Sequence, residues 1–162
     1  MHPTDPGAAA VRIVGVGSPH GDDRIGWIVV NQLQANPPSA CDLAIVSNPM
    51  QIFEHRPSPA RMILIDACRS GARPGSITRL CWPDTRIAAR HSASSHGLGV
   101  WEAILLAQQL GDLQGELVLF GMEILQADPL AEVSAALMQR LPTLCNNVRA
   151  EAERMAAAGI AR

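Results

Sequence analysis

The chain has 162 residues, of which 48% are hydrophobic and 17% charged, the composition of one well-packed globular domain and not of a disordered or strongly charged protein. A net charge of −2, with 13 basic residues scattered along the chain, argues against a nucleic-acid partner. No apolar run approaches the roughly 18 to 20 residues of a membrane span, and the first ten residues lack a signal-peptide pattern. We therefore expect a cytoplasmic protein without membrane contact, with a flexible tail over residues 1–10 and a single domain over residues 11–162.

The first predicted elements are a strand and a helix joined by a glycine-containing loop. The apolar run at residues 11–16 leads into Gly17, as a buried strand entering a turn does. Residues 25–33 place their apolar side chains on one helical face, so a helix is predicted after the loop at residues 18–24. Further strands are predicted at residues 43–46, 62–65, 75–82 and 117–120, the third of these with an antiparallel orientation as one option.

Two helical regions are predicted in the second half of the chain. At residues 95–110 apolar side chains recur at helical spacing, with Ser94 or Ser95 as a possible N-cap and Gly111 as a stop. Residues 129–158 predict one or two helices, interrupted near Pro142. The alternation of strands and helices predicts an α/β fold, a three-layer α/β/α sandwich with a mostly parallel twisted sheet.

Polar side chains cluster where the predicted parallel strands end. Asp22 and Asp23 follow the first strand, Asp66 follows the strand at residues 62–65, and His96 stands at the start of a predicted helix. Because ligands of open parallel sheets lie at the carboxyl ends of the strands, we expect these groups to converge there. Two of these carboxylates together with the imidazole would suit a divalent transition metal such as nickel or zinc.

Other roles for these residues remain open at this point. Either Asp22 or Asp23 could cap the following helix, Asp66 could accept backbone hydrogen bonds in a turn, and His96 could simply lie in a helix's first turn. The glycines at positions 15, 17 and 21 form only a weak phosphate-binding pattern. Cys68 could be a nucleophile activated by His96, although a lone cysteine after an apolar run is usually a packing residue.

The motifs of this chain resemble those of the hydrogenase maturation proteases, the endopeptidases that process the large subunit of nickel–iron hydrogenases. The resemblance runs from residue 11 to residue 122. It is carried by Gly15-Val16-Gly17-Ser18 followed by Asp22-Asp23-x-x-Gly26, by Leu64-Ile65-Asp66-Ala67, and by Ser95-His96-x-Leu98-Gly99.

This resemblance implies a metal-dependent endopeptidase that recognises nickel already inserted in a hydrogenase large-subunit precursor and removes its C-terminal extension. It assigns Asp23, Asp66 and His96 as the catalytic and metal-binding residues, with the nickel supplied by the substrate. Asp22 could orient these ligands without binding the metal itself, since the side chains of adjacent residues seldom point the same way. The alternative is a non-catalytic metal- or nucleotide-binding module on the same fold.

Overall fold

A computed structural model describes residues 10–54, 60–84 and 99–160. Within these ranges the chain forms one five-stranded sheet in the order β2-β1-β3-β5-β4. The strands are β1 Val11–Val16, β2 Cys41–Val46, β3 Arg61–Cys68, β4 Ile77–Cys81 and β5 Glu116–Glu123. Neighbouring strands pair in parallel except β4, which runs antiparallel to β5. The predicted α/β class with a mostly parallel sheet is confirmed.

Helices cover both faces of this sheet. The helices are α1 Ile25–Gln34, α2 Val100–Gln109 and α3 Ala135–Ile160, and 3-10 turns lie at Gly21–Arg24 and Pro49–Phe53. One core cluster joins α1 and α3 to one sheet face, and a second joins α2 and the turn Pro49–Phe53 to the other. Successive strand residues point to opposite faces, which is why Ile63 and Ile65 belong to the first cluster and Leu64 to the second.

Two predicted elements differ from the observed ones. α3 is a single helix through Pro142, so the predicted interruption is wrong. Proline removes one helical hydrogen bond, but the side chains that α3 buries every three or four residues, from Leu137 to Met155, hold the helix against the sheet. Strand β3 extends to Cys68, so Asp66 lies within the strand and not after it, because pairing with β5 continues to Cys68 and Glu123.

Some expectations fall outside the described residues. These are the predicted tail apart from Ala10, and the first part of the helix predicted at residues 95–110, including His96. Of the helices that the structure describes, none is long and apolar enough to cross a membrane.

Candidate active site

The connection between β1 and α1 depends on close backbone packing. A Cβ atom on Gly15 would overlap the carbonyl group of Gly26 and lie 2.9 Å from Cγ2 of Val30. A Cβ atom on Gly26 would lie 2.6 Å from the carbonyl oxygen of Ile65 and overlap that of Val16. Only glycine allows α1 to lie this close to β1 and β3. These contacts explain both glycines by packing, without a bound phosphate.

Asp23 lies in the 3-10 turn Gly21–Arg24, between β1 and α1. Its backbone N–H donates to the carbonyl of His20 at 3.0 Å, and its carbonyl accepts from the N–H of Ser18 at 3.3 Å. A Cβ atom on Gly17 would overlap this same carbonyl oxygen. The turn contacts β3, the strand that carries Asp66. The Asp23 side chain is half-buried, and among the described residues no hydrogen bond or ion pair engages its carboxylate.

Asp22 is fully buried and serves a different purpose from its neighbour. Its carboxylate accepts hydrogen bonds from the N–H groups of Leu125 at 2.9 Å, Gln126 at 3.2 Å and Ser134 at 2.6 Å, and from the Ser134 hydroxyl at 2.8 Å. Burial pushes the pKa of Asp22 upward, but these hydrogen bonds together leave it below its usual value. Neither Asp22 nor Asp23 caps α1, whose N-cap is Arg24 without a side-chain hydrogen bond.

Asp66 pairs in register with Gly121 of β5 near the carboxyl end of the sheet. By strand alternation its side chain lies on the same sheet face as Leu64, the face that α2 covers. Only 9% of Asp66 is exposed. A carboxylate at such a depth needs donors or a cation nearby.

Sequence reasoning missed a further buried carboxylate, that of Glu123, which pairs in register with Cys68. It accepts hydrogen bonds from Ser70 N–H at 2.8 Å, the Ser70 hydroxyl at 2.7 Å and Gly71 N–H at 3.0 Å, and Cys68 Sγ donates to it at 3.6 Å. Burial raises the pKa of Glu123, but these donors outweigh it and lower the pKa overall. The available signal was a single glutamate inside the apolar run at residues 117–125.

The structure therefore brings together two of the three predicted site elements. The Asp23 turn and the Asp66 strand are in contact, whereas His96 lies outside the described residues. Helix α2 begins at Val100, four residues after His96, and packs on the sheet face to which Asp66 belongs. Within the described ranges, no group of three His, Cys, Asp or Glu side chains could hold a metal ion.

The contacts of Cys68 do not favour a cysteine nucleophile. The thiol is buried and donates to the Glu123 carboxylate. A thiolate at this place would face a negative charge, whereas nucleophilic cysteines lie in electropositive, partly exposed surroundings. His20, by contrast, is exposed.

A parallel sheet with carboxylates at its carboxyl edge is the architecture of many hydrolytic and ligand-binding α/β proteins. The chain matches the family model described as hydrogenase maturation protease over residues 46–151, which is more than half of its length. The chain belongs to the hydrogenase maturation protease family. It is thus a hydrolase of the endopeptidase class that processes a hydrogenase large-subunit precursor. Asp66 lies inside the matched range and Asp23 lies before it.

Solved structures show the same fold. The hydrogenase maturating endopeptidase HybD from E. coli aligns with a TM-score of 0.74 and 20% identity, over 89% of this chain and 92% of that chain. The NiFe hydrogenase maturation protease HycI from Thermococcus kodakarensis gives a TM-score of 0.69 and 18% identity, over 91% and 95% of the two chains. Curated protein sequences give no match.

Proposed function

We propose that this endopeptidase recognises nickel in the precursor through Asp23, Asp66 and His96, and removes the precursor's C-terminal extension after the metal is inserted. The observation that carries the proposal is the contact between the turn of Asp23 and the strand of Asp66, which the glycine packing of α1 enforces. This contact supports a site in which the two carboxylates act together at one edge of the sheet.

The state of the Asp23 carboxylate also supports this role. A half-buried carboxylate that no described residue engages keeps its oxygen atoms available for a ligand. Oxygen atoms from two carboxylates and a nitrogen from His96 form a donor set that suits a divalent transition metal. Three protein ligands leave open positions, so the set can add to the coordination of nickel that the precursor already holds. Nickel in this proposal belongs to the substrate.

The alternative of a non-catalytic module is not favoured. Each of the three glycines that suggested nucleotide binding lies against another part of the chain: Gly15 against α1, Gly17 against the carbonyl oxygen of Asp23, and Gly21 against the side chain of Gln126. The family, moreover, consists of maturation proteases.

The test uses nickel-loaded and nickel-free large-subunit precursor, with C-terminal trimming read by intact mass. We expect the wild-type protein to trim only the nickel-loaded form and Asp23→Asn to lose trimming by 100-fold or more, on the order of a lost metal ligand. The matched control is Asp112→Asn, because Asp112 is also half-buried but lies before β5, at the opposite edge of the sheet. Full trimming by a folded Asp23→Asn variant would refute the assignment. Equal trimming of the nickel-free precursor would refute nickel recognition.

A further inference from the structure

The segment after β5, residues 124–134, binds both sequence neighbours of Asp23, namely Asp22 and Arg24. Asp22 binds this segment through the four hydrogen bonds of its carboxylate, and its own N–H donates to the carbonyl of Gln126 at 3.1 Å. On the other side of Asp23, the Arg24 guanidinium donates to the carbonyl of Ala131 at 3.1 Å. The two neighbours of Asp23 are thus fixed to one segment, while no described residue engages the Asp23 carboxylate.

The same segment is also fixed to the strand of Asp66. The N–H of Ile124 donates to the carbonyl of Cys68, two residues after Asp66, at 3.0 Å. The next N–H along the chain, that of Leu125, donates to Asp22. Two hydrogen bonds, made by the consecutive residues Ile124 and Leu125, therefore connect the end of β3 to the turn that carries Asp23.

We propose that Asp22 is a positioning residue, whose buried carboxylate uses residues 124–134 to fix the Asp23 carboxylate relative to Asp66 for metal binding. The inference rests on the proposed function. Asp22 does not touch the metal; it sets the distance between two groups that do. Mutation of a residue that orients metal ligands without binding the metal commonly changes metal affinity or activity by about 10- to 100-fold.

A purely structural role for Asp22 predicts a different result. If Asp22 only stabilised the fold, its loss would lower the unfolding temperature and leave the nickel affinity of the folded protein unchanged. Glu151 provides the matched control, since it is also a buried carboxylate with several hydrogen bonds. It pairs with Arg79 and Arg154, and Arg154 also joins it to Glu116 at the start of β5, which is the edge of the sheet remote from Asp23.

The experiment compares wild-type protein with Asp22→Asn and Glu151→Gln, two replacements of a carboxylate by the amide of the same shape. Affinity for NiCl2 is measured by calorimetry, stability by thermal unfolding, and kcat and KM with nickel-loaded precursor. We expect Asp22→Asn to weaken nickel binding and lower kcat/KM by about tenfold. Glu151→Gln should lose stability while keeping both values within twofold of the wild type. Equal nickel affinities and equal kcat/KM for the two variants would overturn the inference.

A second pair of variants applies if Asp22→Asn does not fold. Ser134→Ala removes one of the four hydrogen bonds to Asp22, and Ser134→Thr keeps the hydroxyl group that makes it. We expect a loss of nickel affinity and kcat/KM with alanine and recovery with threonine; no difference between them would overturn the inference. A wild-type protein that trims without regard to nickel would defeat the proposed function instead, and that result is read before any variant is made.

Discussion

Gly26→Ala tests the close packing of α1 that brings the Asp23 turn to β3. The new methyl group would lie 2.6 Å from the carbonyl oxygen of Ile65 and 3.0 Å from the amide nitrogen of Val16. Both are backbone atoms of central strands, so neither can rotate away. The tightest contact is with the carbonyl oxygen of Val16, and to restore ordinary van der Waals contact there α1 must move outward by ~1.1 Å.

The size of the effect follows from two opposing contributions. Overpacking of a well-packed site destabilises proteins by about 1 to 3 kcal/mol, and here the contact is with rigid backbone, so we take the upper value of about 3 kcal/mol. Alanine improves helix propensity over glycine by about 1 kcal/mol. We therefore expect Gly26→Ala to lower the free energy of unfolding by about 2 kcal/mol. Urea unfolding followed by tryptophan fluorescence measures this loss of stability; Trp27 lies in α1, and its indole N–H donates to the Val46 carbonyl at 2.9 Å.

The control is Gly111→Ala, where no heavy atom would lie within 4 Å of the new methyl group and φ is +75°. Only backbone strain of about 1 kcal/mol is expected there. The double variant Gly15→Ala/Gly26→Ala adds a second test, because both methyl groups demand the same outward movement of α1. Its destabilisation should be smaller than the sum of the two single effects. A Gly26→Ala protein as stable as the wild type would refute the packing argument.

Three further predictions concern the stability of the protein and the thiol of Cys68. Arg79 lowers the pKa of Glu151 from its ordinary 4.5, so the ion pair stabilises the protein above pH 4.5 and this contribution is lost as the pH falls through the folded-state pKa. Because Arg79 is partly exposed, Glu151→Gln should lower the free energy of unfolding at pH 7 by about 2 kcal/mol, the value of a lost hydrogen bond to a charged group. Urea titrations below pH 4.5 should show progressively smaller differences, and a constant difference would contradict this. Leu130→Asn should raise the thermal midpoint, with a gain of about 0.5 kcal/mol, because the leucine is 97% exposed at a φ of +64° that asparagine adopts more easily. Cys68→Ala should keep trimming activity by intact mass, and its complete loss would favour a cysteine nucleophile.

Much of the fold can be predicted from local pattern. The strand Val11–Val16 is found at its predicted bounds, and the helix predicted at residues 25–33 is observed as Ile25–Gln34. The antiparallel strand at Ile77–Cys81 also agrees with expectation. Each has apolar residues in a run or at a regular spacing, and a glycine or proline within a few positions of its ends. Element ends are harder to predict, because β3 continues through polar Asp66 only where β5 offers backbone partners.

The candidate site is predictable in part. Asp23 and Asp66 follow from their places near the ends of predicted parallel strands, and the contact between their elements supports that logic. The role of Asp22 could not be read from its neighbours in sequence, since its partner Ser134 lies more than a hundred positions away. Glu123 was missed for the same reason: its donors belong to the turn after β3, and only the strand register brings them together.

The position of β5 in the sheet has a consequence for synthesis on the ribosome. β5 lies between β3 and β4, although both of those strands come earlier in the chain. β4 pairs with β5, so it has no strand partner among the described residues until positions 116–123 emerge from the exit tunnel. α3, which covers one face of the sheet, follows later still. Nascent chains that stop before β5 should therefore expose apolar strands and depend on chaperones, so that folding becomes cooperative only near the end of translation.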